Sequence, residues 1–364
     1  MKFTFNQRFT TKLLALITAI TFNYNELNAQ AVPMWSPLKT LPIGGKVYAV
    51  ELFSSNNNTV PLVALGVESN LRAWVEVRNI NTGQVQNKFT FNARPNAISA
   101  SRDNNYLAIG TNYGAYVQNL QNNVLHYLNR PTSSPITDIY WDDVSFPNQK
   151  VIITSDMDGN ISFFNYDSTQ TYITPFKTIP YPTNPNIQYP HPMIDNFSVN
   201  NNNNTITAGY LNQVVSWNVL DTMRKFQYYI APGWNGYGRR SYVESIFDPN
   251  GNYILSVDND SIQAMDSDGL LLYELPFIDD SPTGITYGVS NFPFVVISTS
   301  YDRCLVYSLK NRLPVLIGNF STHTNTVSSV AVKSVAANLY MISGSLDQTI
   351  EIWTYNSGYN PDAR

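Results

Sequence analysis

Three histidines, His126, His191 and His323, are the side chains that most readily carry acid–base or metal chemistry in this sequence. They lie far apart along the chain, and no two of them have the spacing of metal ligands on one helix or hairpin. The single cysteine, Cys304, excludes an intramolecular disulfide and a multi-cysteine zinc site, and its apolar neighbours predict a buried strand position. The sequence therefore predicts no metal site and no cofactor.

Carboxylates offer one further candidate, the segment "DMDGN" at 156–160, which begins like a calcium-binding loop. Its sixth position is Ile161, where such a loop needs glycine, and its twelfth is Asp167 instead of glutamate. An Asp-Gly hairpin turn explains the segment without a metal. No nucleophile-elbow, phosphate-binding or dinucleotide motif occurs. We therefore predict that the protein is not an enzyme.

These side chains are carried by a repeated strand–turn–strand element. Turn signals recur every 42 to 54 residues, near positions 70, 114, 158, 212, 260, 302 and 347. Each is flanked by β-branched and aromatic residues that alternate with polar ones, and no helical periodicity is found across 40–355. This period is typical of one four-stranded propeller blade.

The last copy, "STHTNTVSSVAV…LYMISGSLDQTIEIW" (321–353), resembles the WD40 repeat. The resemblance implies a seven-bladed, all-β WD40-like propeller. It also implies a structural hydrogen-bonded network inside the last blade, made by His323, Ser343, Asp347 and Trp353.

The chain ends after the third strand of the seventh copy. We expect residues 34–42 to supply the missing outer strand, so that an N-terminal strand completes the last blade and removes two open sheet edges. The predicted organisation is a leader at 1–31, a single propeller at 32–356 and a C-terminal tail at 357–364.

The leader prediction comes from the first thirty residues. Basic residues precede the apolar run "LLALITAITF", and Ala29-Gln30-Ala31 follows as a small-residue cleavage site. This pattern is typical of a signal peptide and predicts an exported protein, periplasmic or secreted. A mitochondrial presequence is the alternative, because the segment is also rich in threonine and poor in acids. The apolar run is too short to span a bilayer as a helix.

Composition limits the class of partner. The net charge is −4, the sequence pI is about 5.4 and only 13% of residues are charged. A nucleic-acid-binding protein usually presents a broad basic surface, so we expect no nucleic acid as partner.

Two loops interrupt the repeat and carry the residues typical of binding hot spots. The first, 177–193, contains five prolines together with Tyr189 and His191. The second, 228–242, holds Trp234, Tyr237, Arg239 and Arg240. In WD40 propellers both connections lie on the same top face, so the resemblance implies that the two loops are neighbours.

We therefore predict a non-catalytic scaffold that binds a protein partner through its top-face loops. Two alternatives stay open. One is a secreted propeller enzyme, such as a metal-dependent hydrolase or lactonase, that uses carboxylates around the central channel. The other is a propeller that binds a glycan on the same aromatic face.

Overall fold

The computed structural model describes most of the chain between Trp35 and Tyr355. The described residues are 35–55, 59–70, 72–130, 132–146, 149–181, 194–202, 204–210, 213–229, 244–248, 252–258, 261–276, 281–289, 293–309, 314–335 and 338–355. Within these ranges the chain forms strands and no helix. The described residues therefore contain no helix that could cross a membrane.

Seven sheets, numbered here as blades 1 to 7, follow one another along the chain. Blade 1 consists of β2 (Lys46–Ser54), β3 (Pro61–Ser69), β4 (Arg72–Asn79) and β5 (Val85–Phe91). Blade 2 consists of β6 (Pro95–Ala100), β7 (Tyr106–Thr111), β8 (Ala115–Asn119) and β9 (Leu125–Leu128). Blade 3 consists of β10 (Ile136–Asp142), β11 (Val151–Asp156), β12 (Ile161–Asn165) and β14 (Pro175–Ile179). Blade 4 consists of β15 (Ile194–Asn200), β16 (Thr205–Tyr210), β17 (Gln213–Asn218) and β18 (Arg224–Tyr229).

The remaining blades repeat this antiparallel order. Blade 5 consists of β19 (Glu244–Phe247), β20 (Tyr253–Val257), β21 (Ser261–Asp266) and β22 (Leu271–Pro276). Blade 6 consists of β23 (Pro282–Val289), β24 (Pro293–Thr299), β25 (Arg303–Ser308) and β26 (Val315–Ser321). Blade 7 consists of β27 (Val327–Val335), β28 (Asn338–Ser345), β29 (Thr349–Tyr355) and β1 (Trp35–Pro42). The prediction of a seven-bladed propeller is confirmed.

The ring is closed by β1, which pairs antiparallel with β29 along its length, from Trp35 opposite Tyr355 to Pro42 opposite Thr349. Trp35 anchors this strand, because its buried indole packs edge-on against Phe294 of blade 6 and Tyr355 of blade 7. The predicted closure by residues 34–42 is thus confirmed, with the strand beginning at Trp35.

Blade 2 differs from the expected four strands. A short fifth strand, β13 (Tyr172–Ile173), leaves blade 3 between β12 and β14 and pairs parallel with β9. It covers the outer edge of blade 2, and His126 of β9 lies buried beneath it with Nδ1 2.7 Å from the carbonyl oxygen of Gln170. His126 is an outer-strand residue of its blade, as predicted.

The core is divided among the junctions between neighbouring blades. The described buried apolar residues form seven clusters, and each cluster joins side chains of two adjacent blades. A middle strand therefore has apolar neighbours on both faces, which is why β11 and β16 are buried at every position. Each blade therefore depends on both of its neighbours to bury its two apolar faces.

A β-bulge occurs near the start of six inner strands, as in β2 between Val47 and Ala49 and in β27 between Val327 and Ser329. The bulge turns a polar side chain toward the next blade. Asn96, for example, donates from Nδ2 to the carbonyl oxygen of Ile136 at 2.8 Å.

The hydroxyls of Thr283 and Ser328, at the same position in their blades, reach the carbonyls of Val327 and Val47. These contacts lock neighbouring blades in register around the central axis.

Candidate functional site

One face of the ring, called the top face here, carries the turns between the second and third strands of each blade. It also carries the connections from each outer strand to the next inner strand. Among its described residues, Tyr113, Tyr301 and Met157 expose 75%, 59% and 41% of their surface. These are large side chains at the tips of short turns, and most residues of the strands that flank these turns are buried. Exposed aromatic and methionine side chains on a rigid support are typical of protein-binding surfaces.

The central channel opens on this face. It encloses a cavity of about 340 Å³ lined by residues of all seven inner strands. The bulge positions contribute Tyr48, Asn96, Thr137, Thr283 and Ser328, so this described part of the mouth is polar and uncharged. Such a wall suits a polar ligand group better than an apolar one.

Arg94 lies at the rim of this mouth, in the connection between β5 and β6. Its guanidinium carbon is 4.5 Å from the centroid of the Tyr48 ring, and Nε donates to Oδ1 of Asn96 at 2.9 Å. Asn96 in turn donates to Oδ1 of Asn112 at 2.9 Å. The stacking and the two hydrogen bonds fix the orientation of a cation at the channel entrance.

Asp138 is the carboxyl group that faces the channel below this mouth. Burial raises the pKa of Asp138 to about 7, against the opposing effect of hydrogen bonds from the backbone N–H groups of Phe197 and Ile139, and the charge of Glu51 adds to the increase. The Phe197 N–H donates to Oδ2 at 3.0 Å. Asp138 therefore joins blade 3 to blade 4, and near neutral pH a large share of it carries a proton.

In the last blade, three of the four residues of the predicted network, His323, Asp347 and Ser343, are linked by hydrogen bonds. His323 Nδ1 lies 3.0 Å from Asp347 Oδ2, and Nε2 lies 2.8 Å from Ser343 Oγ. Thr349 also contacts Nδ1 at 3.1 Å. Trp353 is buried nearby and packs on Phe320, with ring centroids 4.7 Å apart. The structure thus brings His323, Asp347 and Ser343 together by hydrogen bonds and adds Thr349, while Trp353 contributes packing.

An Asp–His–Ser chain has the connectivity of a hydrolase triad, but this one is closed to substrate. Ser343 exposes 2% of its surface and His323 exposes 5%, so neither the hydroxyl nor the imidazole is accessible. Burial lowers the pKa of His323 despite the opposing influence of Asp347, so the imidazole is neutral at physiological pH. Thr349, Thr324 and His323 hydrogen-bond to Asp347 and lower its pKa, outweighing the effect of burial. The arrangement stabilises the turn between β28 and β29.

The segment 156–160 is a hairpin turn between β11 and β12. Asp156 Oδ1 accepts the backbone N–H groups of Asp158 and Asn160 at 3.0 and 2.9 Å, and Gly159 adopts a positive φ of 82°. In the described part of the chain, no group of three or more His, Cys, Asp or Glu side chains is placed to hold a metal ion. Cys304 is buried as predicted, and burial raises the pKa of its thiol to about 12.

The six residues predicted to bind a partner lie outside the described residues: Tyr189, His191, Trp234, Tyr237, Arg239 and Arg240. They stay a prediction.

Sequence reasoning missed five top-face residues, namely Tyr48, Arg94, Tyr113, Met157 and Tyr301. Tyr113 stands at a turn that the repeat had located, so its type and position could have been noticed. The contact between Arg94 and Tyr48 joins two blades and leaves no signal in the sequence.

The ring of seven blades defines the protein as a β-propeller. A family model described as "WD domain, G-beta repeat" matches residues 314–354, which cover β26 and most of blade 7. The match to the last blade and the seven-bladed ring together support a WD40-repeat propeller. No curated protein matches the chain.

Replacement of His323 with Ala should lower the free energy of unfolding by about 2–3 kcal/mol, because Ser343 and Asp347 would lose a buried partner. Urea denaturation measures this change. Thr324→Ala is the matched control: Thr324 is exposed and donates to Asp347 through its backbone N–H, which alanine keeps, so stability should change by less than about 0.5 kcal/mol. Equal effects of the two substitutions would contradict a stabilising role for the network.

Asp138 predicts a pH dependence of stability. An aspartate in the unfolded chain has a pKa of about 3.9, whereas folding raises the pKa of Asp138 to about 7. The folded state therefore binds the extra proton, and the stability contributed by Asp138 is present below about pH 4 and is lost as pH rises through about 7.

Urea denaturation of the wild type and of Asp138→Asn at several pH values tests this. The stability of the wild type relative to the variant should fall by about 1–2 kcal/mol between about pH 4 and about pH 8, since an open channel screens part of the effect. Burial also raises the pKa of Glu351 to about 7. Both proteins contain Glu351, so its contribution cancels in the comparison. If the stabilities of the two proteins change equally with pH, folding does not raise the pKa of Asp138, and its carboxylate is charged in the folded protein across this pH range.

Proposed function

We propose that this protein is a non-catalytic scaffold that binds a protein partner on the top face of the propeller. WD40 propellers commonly act as protein-interaction scaffolds and are typically non-catalytic. The observation that carries the proposal is the exposure of Tyr113, Met157 and Tyr301 at the tips of top-face turns. The polar side chains that could do chemistry in blade 7 are buried instead.

The support beneath these tips is rigid. Tyr113 follows Thr111, whose hydroxyl oxygen accepts the backbone N–H groups of Tyr113 and Gly114 at 3.2 and 3.0 Å. Met157 follows Asp156, which holds its own turn by the hydrogen bonds described above. Binding a partner would therefore cost little ordering of the backbone at these turns.

We propose that the loops 177–193 and 228–242 extend the same surface. Trp234, Tyr237, Arg239 and Arg240 provide the side-chain types that dominate binding hot spots, and Tyr189 and His191 stand in the neighbouring connection. Both loops connect an outer strand with the next inner strand, which is a top-face connection in this fold.

Crosslinking affinity purification of the native protein tests the proposal. A variant with Tyr113, Met157 and Tyr301 changed to Ala should recover at least about tenfold less of a stoichiometric partner, because hot-spot truncations cost about 1–2 kcal/mol or more each. A second variant with Trp234, Tyr237, Arg239 and Arg240 changed to Ala tests the longer loop, and partner loss is expected again.

The control changes Val144, Met223 and Leu270 to Ala. These residues are also large and apolar, with exposures of 50%, 69% and 67%, but they lie on the opposite face. This control should keep the partner. Retention by both top-face variants, or equal loss by the control, would refute binding on the top face.

We further propose that the protein is exported and that the leader 1–31 is removed. The basic start, the apolar run and Ala29-Gln30-Ala31 support this. N-terminal sequencing of the protein isolated from its native compartment should give a start at or near Val32. A start at Met1 in the cytoplasm would contradict export, and recovery from mitochondria would favour the presequence alternative.

A further inference from the structure

The guanidinium of Arg94 has a fixed orientation but no anionic partner among the described residues. In the described part of the chain, no carboxylate lies within ion-pair distance of Arg94. Its Nε donates a hydrogen bond to Oδ1 of Asn96, and the guanidinium stacks on the ring of Tyr48. The two terminal nitrogens therefore form a fork that matches a carboxylate geometrically.

The neighbours of Arg94 keep this fork in place without a ligand. Asn96 is held by two further hydrogen bonds, to Asn112 and to the carbonyl of Ile136. Because Ile136 belongs to the next blade, the position of the guanidinium depends on the packing of blades 1, 2 and 3 together. A preorganised donor loses little entropy when an anion binds.

The channel below the fork limits what the anion can be. The described residues that line it are uncharged apart from Asp138, whose carboxyl group already accepts the backbone N–H groups of Phe197 and Ile139. A negatively charged group is therefore attracted to Arg94 at the rim, and the described wall of the channel offers it no second cation. A group with one negative charge suits this field better than a doubly charged phosphate.

We propose that the partner presents an acidic peptide segment and that an Asp or Glu carboxylate of this segment pairs with Arg94 at the mouth of the channel. The exposed Tyr113 of the same blade would contact the residues that flank this anchor. This inference rests on the proposed function, since it names the chemistry of the partner that the top face accepts.

Fluorescence polarisation with a short fluorescein-labelled Glu-Gly repeat peptide tests the inference at low salt. A matched Gln-Gly peptide controls for charge, and a phosphoserine-Gly peptide distinguishes phosphate from carboxylate. Arg94→Ala should weaken binding of the Glu-Gly peptide at least about tenfold, because a hydrogen bond to a charged group is lost. Arg94→Lys, which keeps the charge but not the fork, should fall between Arg94→Ala and the wild type.

Arg102→Ala is the matched control. Arg102 is exposed and lies between β6 and β7 on the opposite face, so this substitution changes the net charge equally and should leave peptide binding unchanged. An unchanged melting temperature of Arg94→Ala shows that the fold is intact.

Four results would overturn the inference: no binding of the Glu-Gly peptide, equal binding of the Gln-Gly peptide, preference for the phosphoserine peptide, or equal losses in the two Arg→Ala variants. If one of these occurs while the Tyr113, Met157 and Tyr301 variant still loses its native partner, the acidic anchor is wrong and the scaffold proposal stands. If this variant and the Trp234, Tyr237, Arg239 and Arg240 variant both keep the partner as well, both proposals are wrong.

Discussion

The structure depends on the pairing of β1 with β29. Every described apolar cluster lies between two blades, so a blade without a neighbour would expose one of its faces. The pairing joins residues that are more than 300 positions apart in sequence and completes the sheet that holds both chain ends. Trp35 strengthens it by contacting blades 6 and 7 together. Because closure removes the open ends of the ring, the stability of each blade is tied to the stability of all the others.

The same constraint gives the top face its rigidity. The bulge side chains of the inner strands hold neighbouring blades in register, with Asn96 reaching blade 3, Thr283 reaching blade 7 and Ser328 reaching blade 1. The turns of the top face are mounted on these strands, so their exposed side chains keep fixed relative positions. A surface of this kind can recognise a partner without catalysing a reaction, and buried groups such as His323 and Ser343 then serve the fold instead of a substrate.

The sequence predicted the fold well, because each blade leaves a local signal. The turn near Asp347, the alternation in β29 and the residues of the His323 network are all readable within about one repeat. It did not predict the extra strand β13 or the contacts of Arg94, because both arise from contacts between blades. Arg94 meets Tyr48 only after blades 1 and 2 have packed, and Tyr172 pairs with Tyr127 across a blade boundary. Spacing along the chain carries no information about such contacts.

A covalent bond between β1 and β29 tests most directly whether this one strand pairing stabilises the whole ring. Ser36 and Thr354 are partners in the β1–β29 ladder and can both be changed to Cys. Urea unfolding of the oxidised and reduced protein, followed by fluorescence and by circular dichroism, should give one transition in each state. The oxidised form should be more stable by about 2–4 kcal/mol. A disulfide that forms without stabilising the protein, or that protects blade 7 while the other blades unfold at the original urea concentration, would contradict the account.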